Sequence, residues 1–158
     1  MKEATSSHQP VACAMIDIDH LKKVNEMYGL ETGDLVLRAV AKIIKKNIRK
    51  EDVVIRYGGE EFLVFLPNQE ADAAFVVVDR IRRIIAARIF TDLSRKHHFQ
   101  LTISSGLNKV SKDRSLEEVI DEADMTMYFA KKQGHNQTYV LWSDNTLHPA
   151  PPPSAPSS

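Results

Sequence analysis

Apolar residues along the chain follow two rhythms, one suited to strands and one to helices. Val11 to Ile18 is a nearly unbroken apolar run of strand length that ends among acids, the pattern of a buried strand delivering carboxylates at its end. Asp17 and Asp19, two apart, are expected to share a side. A short helix is expected next. Val36, Val40, Ile43 and Ile44 then recur at helical spacing up to about Ile48, and Ala74, Val78, Ile81 and Ile85 form a second such stripe. Between these helices, Val53 to Arg56 and Phe62 to Leu66 are β-rich runs joined through Tyr57-Gly58-Gly59-Glu60, where paired glycines signal a tight hairpin. Phe99 to Leu107 alternates as a further strand. Ser115, with Glu118 three residues on, opens a helix through a capping box and carries Leu116, Val119, Ile120, Ala123 and Met127. A last strand is expected near Thr138 to Trp142.

This order predicts an α/β chain of the α+β sandwich kind, with a largely antiparallel central sheet flanked by helices and ferredoxin-like topology as its simplest form. At 158 residues and 43% hydrophobic content, one core is expected rather than two. The expected boundaries are a flexible lead-in over residues 1–10, the folded domain over 11–142, and a Pro/Ala/Ser-rich disordered tail over 143–158.

Charge and cysteine content narrow the function. Lys plus Arg and Asp plus Glu each total 21, so no net positive field draws the chain to nucleic acid or anionic lipid, and any phosphate binding must be local. The single cysteine, Cys13, excludes an internal disulfide and a cysteine-rich zinc site, and its apolar surroundings mark it as a small core residue. No window approaches the roughly 20 apolar residues that a membrane span requires. Cytoplasmic location without membrane contact is the expectation. His97 and His98 fall in a polar linker and read as solvated, while Phe99 and Trp142 read as packing residues.

Two clusters carry candidate chemistry. In Arg56-Tyr57-Gly58-Gly59-Glu60-Glu61-Phe62, glycines at a hairpin tip let a phosphate approach the backbone while two carboxylates stand beside it, although a plain turn with exposed acids reads equally well from these residues alone. In Asp17-Ile18-Asp19-His20-Leu21-Lys22-Lys23-Val24-Asn25-Glu26, carboxylates at a strand end precede a lysine and an amide. A magnesium nucleotide site needs these types: hard oxygens for Mg²⁺, lysine as a point charge for phosphate, and Asn with a further carboxylate such as Asp34 for a base edge. Asp34 alone would read as a helix-start acid.

With both clusters in view, Gly58-Gly59-Glu60-Glu61-Phe62 resembles the GGEEF form of the signature of GGDEF-domain diguanylate cyclases. The similarity extends through Asp17-Ile18-Asp19-His20, Lys22, Asn25, Tyr28-Gly29, Gly33-Asp34, Leu37-Arg38, Arg56-Tyr57, Thr102, Ser104, Gly106, Ala123-Asp124, Tyr128, Ala130-Lys131, Gly134 and Asn136, in that order. The resemblance implies a Mg²⁺-dependent (or Mn²⁺-dependent) enzyme that condenses two GTP into cyclic di-GMP and pyrophosphate as a homodimer. It implies Asp17, the carbonyl of Ile18 and Glu60 as metal ligands, Glu60 as base with Glu61 assisting, and Lys22 and Lys131 on the triphosphate. It further implies Asn25 and Asp34 on guanine with Gly58 and Gly59 lining the substrate. Arg49 and Asp52, three apart, match the family's R-x-x-D product-inhibition site, with Arg80 as its second arginine.

Several positions depart from the family pattern. Leu30 stands for a usual histidine, Glu26 for Asp, Leu21 for Phe, and His135 for an arginine whose fixed charge thereby becomes conditional on pH. The family's lead-in helix is absent before Val11, which suggests a truncated chain without its sensory domain. A rival reading is a weak or inactive module that binds GTP or cyclic di-GMP without turnover. A dinucleotide-binding domain is disfavoured, because Gly58-Gly59 lacks the G-x-G-x-x-G spacing.

Overall fold

A computed structural model of the chain describes residues 9–153. The expected lead-in and tail therefore lie partly outside the described residues, at 1–8 and 154–158.

Strand β1 (Val11–Ile18) is buried along seven of its eight residues because both of its faces are covered. Ala12, Ala14, Ile16 and Ile18 enter the larger core with Val36, Val40, Ile81 and Ile85, whereas Cys13 and Met15 enter a smaller one with Leu63, Val119, Ala123 and Met127. This two-sided burial is why the run is apolar throughout rather than alternating. Helices α1 (Leu21–Tyr28) and α2 (Leu30–Lys46) follow, then the hairpin of β2 (Val53–Arg56) and β3 (Glu61–Pro67), then α3 (Ala71–Ala87). A small hairpin of β4 (Phe90–Thr91) and β5 (His98–Phe99) precedes β6 (Ile103–Lys109), α4 (Leu116–Lys132), β7 (Thr138–Leu141) and β8 (Leu147–His148).

The main sheet has the order β2-β3-β1-β6-β7-β8, antiparallel except for the parallel β6–β7 pair. Its first four strands and the helices between them form the expected ferredoxin-like unit, and the extension through α4 to β7 and β8 makes the sheet mixed. Helices α2 and α3 cover one face; α4 covers the other. At Gly106 on β6 the helix lies so close that a Cβ would overlap the backbone of Ala123 and Met127. The expected capping box of α4 is present: Glu118 N donates to Ser115 Oγ (3.1 Å) and Ser115 N to Glu118 Oε1 (2.9 Å).

The structure differs from the sequence reading in two places. The strand expected over Phe99 to Leu107 is split, with Phe99 closing the small hairpin and β6 beginning at Ile103. His97 and His98 are exposed, as expected, and His97 Nδ1 also lies 2.9 Å from Asp92 Oδ2. Asp92 is buried and also accepts from Ser94 Oγ and from the amides of Lys96 and His97, which shapes the hairpin turn. Finally, the stretch expected to be a structureless tail from residue 143 supplies β8, and Trp142 stacks on His148 (3.5 Å between centroids) while its Nε1 donates to Ala150 O (2.8 Å).

Candidate active site

Sheet register assembles the site. Asp17 on β1 lies opposite Glu61 on β3 and Ser104 on β6, and Ile18 N donates to Glu60 O (3.3 Å), so the acidic strand end meets the tip of the β2–β3 hairpin. Arg56 secures that tip by donating from Nε (3.2 Å) and Nη2 (2.6 Å) to Gly59 O. Gly58 and Gly59 do not adopt positive φ, so the turn does not require glycine for its backbone angles. A Cβ on Gly58 would approach the end of the Glu61 side chain, Oε1, to 3.3 Å, whereas one on Gly59 would face open volume.

The two strand-end acids are both buried but differently served. Asp19 accepts from Thr102 Oγ1 (2.6 Å) and the Asn136 amide (3.0 Å) at Oδ2, and from Ser104 Oγ (2.7 Å) at Oδ1. Asp17 meets Lys131 Nζ at 3.0 Å through Oδ2, and its buried Oδ1 has no partner among the described residues. Burial pushes the Asp17 carboxyl up to about 7 against the pull of Lys131, and the charges of Glu60 and Glu61 add to the rise. The Glu61 carboxyl is also raised, first by burial and then by the charges of Asp124 and Glu60. The Asp124 carboxyl is raised mainly by burial.

This donor set fits a hard divalent cation: an unpartnered buried carboxylate oxygen on Asp17 lies beside two half-buried glutamates. Among the described residues, no three His, Cys, Asp or Glu side chains converge into a pre-formed cage. Mg²⁺ commonly binds through one or two carboxylates, with water and phosphate completing its shell.

Asn25 on α1 is braced by Gly33 on α2, where a Cβ would fall inside the Asn25 carboxamide. The Asn25 Oδ1 is buried and, among the described residues, an acceptor without a donor. Gly29, at φ +96°, joins the two helices, and its amide donates to Asn25 O (2.9 Å). Asp34 and Lys22 are exposed on α2 and α1. His20 (φ 59°), His135 (φ 63°) and Asn136 (φ 51°) all occupy the left-handed region beside Asp19, a concentration of backbone strain typical of functional sites. The His20 and His135 rings lie 4.5 Å apart.

A family model described as "Diguanylate cyclase, GGDEF domain" matches residues 1–137. The chain belongs to the GGDEF-domain family. Diguanylate cyclase A of Treponema denticola is 39% identical over 140 residues, which are 88% of this chain and 37% of that protein. Response regulator PleD of Caulobacter vibrioides is 36% identical over 137 residues, 86% of this chain and 30% of its own length. The chain thus spans about a third of the length of these curated relatives. Among solved structures, the GGDEF domain of DgcB from Caulobacter crescentus in complex with c-di-GMP superposes with TM-score 0.83 at 31% identity, covering 88% of this chain and 82% of that one. The active GGEEF domain of a diguanylate cyclase from Vibrio cholerae gives 0.79 at 28%, covering 88% and 87%.

Within this GGDEF domain, Asp17, Glu60, Glu61 and Lys131 converge at the sheet end, and Asn25 with Asp34 lies on the adjoining helix pair. Arg49, Asp52 and Arg80 lie apart from them. Asp52 is turned inward: its Oδ2 accepts from the Arg49 amide (2.7 Å) and its Oδ1 from Arg49 Nη2 (3.1 Å). Arg49 also donates to Pro67 O (2.5 Å), and Gln69, oriented by the hydrogen-bond network, accepts from its Nε and Nη2. Arg80 Nη2 donates to Asn47 O (3.1 Å) at the end of α2. Asp124, Thr102, Ser104 and Asn136 are the site residues that sequence reasoning did not assign. A usable signal existed for Asp124, since it precedes Lys131 by seven residues, two helical turns, and so shares its face of α4. No helix of the described residues is long and apolar enough to cross a membrane.

Proposed function

We propose that this GGDEF domain is a diguanylate cyclase that condenses two GTP into cyclic di-GMP. The observation that carries the reading is the meeting of Asp17, with its unpartnered oxygen, and Glu60 and Glu61 at one sheet end beside Lys131. Asp17, the Ile18 carbonyl and Glu60 would hold Mg²⁺ or Mn²⁺, which when bound lowers the pKa of the attacking hydroxyl and offsets charge at phosphorus. Asn25 and Asp34 hold the guanine, Asp34 accepting from the N1–H and 2-amino groups that adenine lacks. Gly59 leaves room for phosphate, and Lys22 and Lys131 neutralise the triphosphate. Glu60 takes the proton of the ribose 3′-hydroxyl, whose oxygen attacks the α-phosphorus of the second GTP as the bond to the β-phosphate breaks and pyrophosphate leaves. Each domain presents one nucleotide, so two domains related by a two-fold axis complete both phosphodiester bonds.

The deciding experiment incubates the purified protein with GTP and Mg²⁺ and resolves cyclic di-GMP by chromatography. Glu60→Gln keeps the size and loses the charge, and is expected to lower turnover at least about a hundredfold. Full activity in that variant refutes the assignment. Absence of product from the unsubstituted protein, with GTP still bound, would instead favour the binding-module reading, which the exposed Leu30 and the His135 replacement support.

Product inhibition through Arg49, Asp52 and Arg80 belongs to the same reading, with one adjustment. Asp52 already closes its own turn, so cyclic di-GMP would have to draw it away from Arg49. Arg49→Ala with Arg80→Ala therefore tests inhibition more cleanly than replacing Asp52.

A further inference from the structure

Asp17 and Asp19 are equivalent in sequence but not in their surroundings. The oxygens of Asp19 take three hydrogen bonds, from Thr102, Ser104 and Asn136, which occupy most of its acceptor sites and fix its orientation. Asp17 has one cation on Oδ2 and nothing on Oδ1. That cation, Lys131 Nζ, is 3.0 Å from Asp17 and 3.9 Å from Asp19 Oδ1, on a side chain only 18% exposed at the end of α4. A buried carboxylate needs a compensating charge, and here a lysine supplies it.

We infer that Lys131 is a resident counter-ion of the metal-free protein, which yields Asp17 to an arriving divalent cation while Asp19 keeps the ammonium within reach of the triphosphate. Lys131 then has two positions, one on Asp17 and one on substrate. Asp19 is a positioning residue: its three donors fix its carboxylate as the pivot between them. The lysine's flexible four-carbon stem permits that movement, and its compact charge suits both partners. This rests on the reading of Asp17 as a cation ligand.

The inference separates two effects that ordinarily move together. In Lys131→Met, Mn²⁺ alone, followed by the electron paramagnetic resonance of the free ion at pH 8.5, is expected to bind about tenfold more tightly or better, because a competing like charge is gone. GTP, in the presence of the metal, is expected to bind more weakly. A lysine that served only phosphate would leave the Mn²⁺ affinity unchanged, and a merely structural one would weaken both; either result overturns the inference. If the variant does not fold, the unsubstituted protein decides. Mg²⁺ added without nucleotide to protein carrying ¹³C-labelled lysine should shift the Lys131 Cε resonance, assigned with Lys131→Arg, together with the Asp17 and Glu60 amides. Movement of those amides with a stationary Lys131 resonance refutes this inference alone. No movement of the amides removes the cation site itself, and the inference with it.

Discussion

Asp17 and Asp19 lie two residues apart at the end of one strand, yet donors surround only Asp19. Below about pH 7 the Asp17 carboxyl, raised by burial, retains a proton in the folded metal-free protein that the unfolded chain releases near its ordinary 3.8; above that pH it is the carboxylate that Lys131 faces. Between those values the folded state binds more protons, so the contribution of Asp17 to stability falls as pH rises through the window and levels off above it. Asp17→Asn removes this dependence. Its Tm relative to the unsubstituted protein, measured without metal from about pH 4 to pH 8, is expected to climb with pH and flatten near the upper end; a constant difference would contradict it. Asn25 gives a second case. Gly33→Ala would displace the carboxamide, and KM for GTP is expected to rise about tenfold with kcat little changed, much as in Asn25→Ala. The two substitutions together should cost little more than either, because both remove one contact. Residue types at the site were legible in the sequence, since Asp, Glu, Lys and Asn appear in the order a nucleotide site needs. The partners of Asp19 were not, because Thr102, Ser104 and Asn136 lie more than 80 residues from it and only the pairing of β6 with β1 and the turn between α4 and β7 bring them near.

Helix α4 connects packing to chemistry at the level of elements. It rests directly on Gly106 of β6, and its far end holds Lys131 against Asp17. Gly106→Ala would push the helix off the sheet, with an expected loss of about 1–3 kcal/mol in denaturant unfolding and a fall in turnover as Lys131 and Asp124 move away. Ser115→Ala serves as its control, removing half of the capping box at the opposite end of the same helix. A loss of about 1 kcal/mol with unchanged kcat is expected there. These long elements were legible because buried stripes and caps leave periodic marks. The β4–β5 hairpin left none: its strands have two residues each, and its turn depends on the Asp92 carboxylate gathering nearby amides and a hydroxyl rather than on apolar rhythm. Strand β8 escaped for a related reason, since a Pro/Ala/Ser composition hid one stacked histidine and one tryptophan hydrogen bond.

At the scale of the whole molecule, the ferredoxin-like order places the strand that carries Asp17 between β3 of the hairpin and β6, so the acids converge without any being adjacent in sequence to all the others. Chemistry that needs two such sites facing each other makes turnover per domain depend on concentration: the specific rate is expected to rise with protein concentration and saturate once the dimer predominates. A specific rate independent of dilution over a hundredfold range would argue against that requirement. The same strand order has a kinetic consequence of another kind. Amides of β1 are locked from both sides at the centre of six strands, whereas Gly58 and Gly59 sit at an exposed hairpin tip held by Arg56 and a few main-chain hydrogen bonds. Deuterium should therefore enter the Gly59 and Glu60 amides through small local openings long before it reaches Met15 or Asp17, which await global unfolding. One half of the site would then breathe continually against a half that does not, leaving the hairpin as the part able to adapt to each incoming nucleotide.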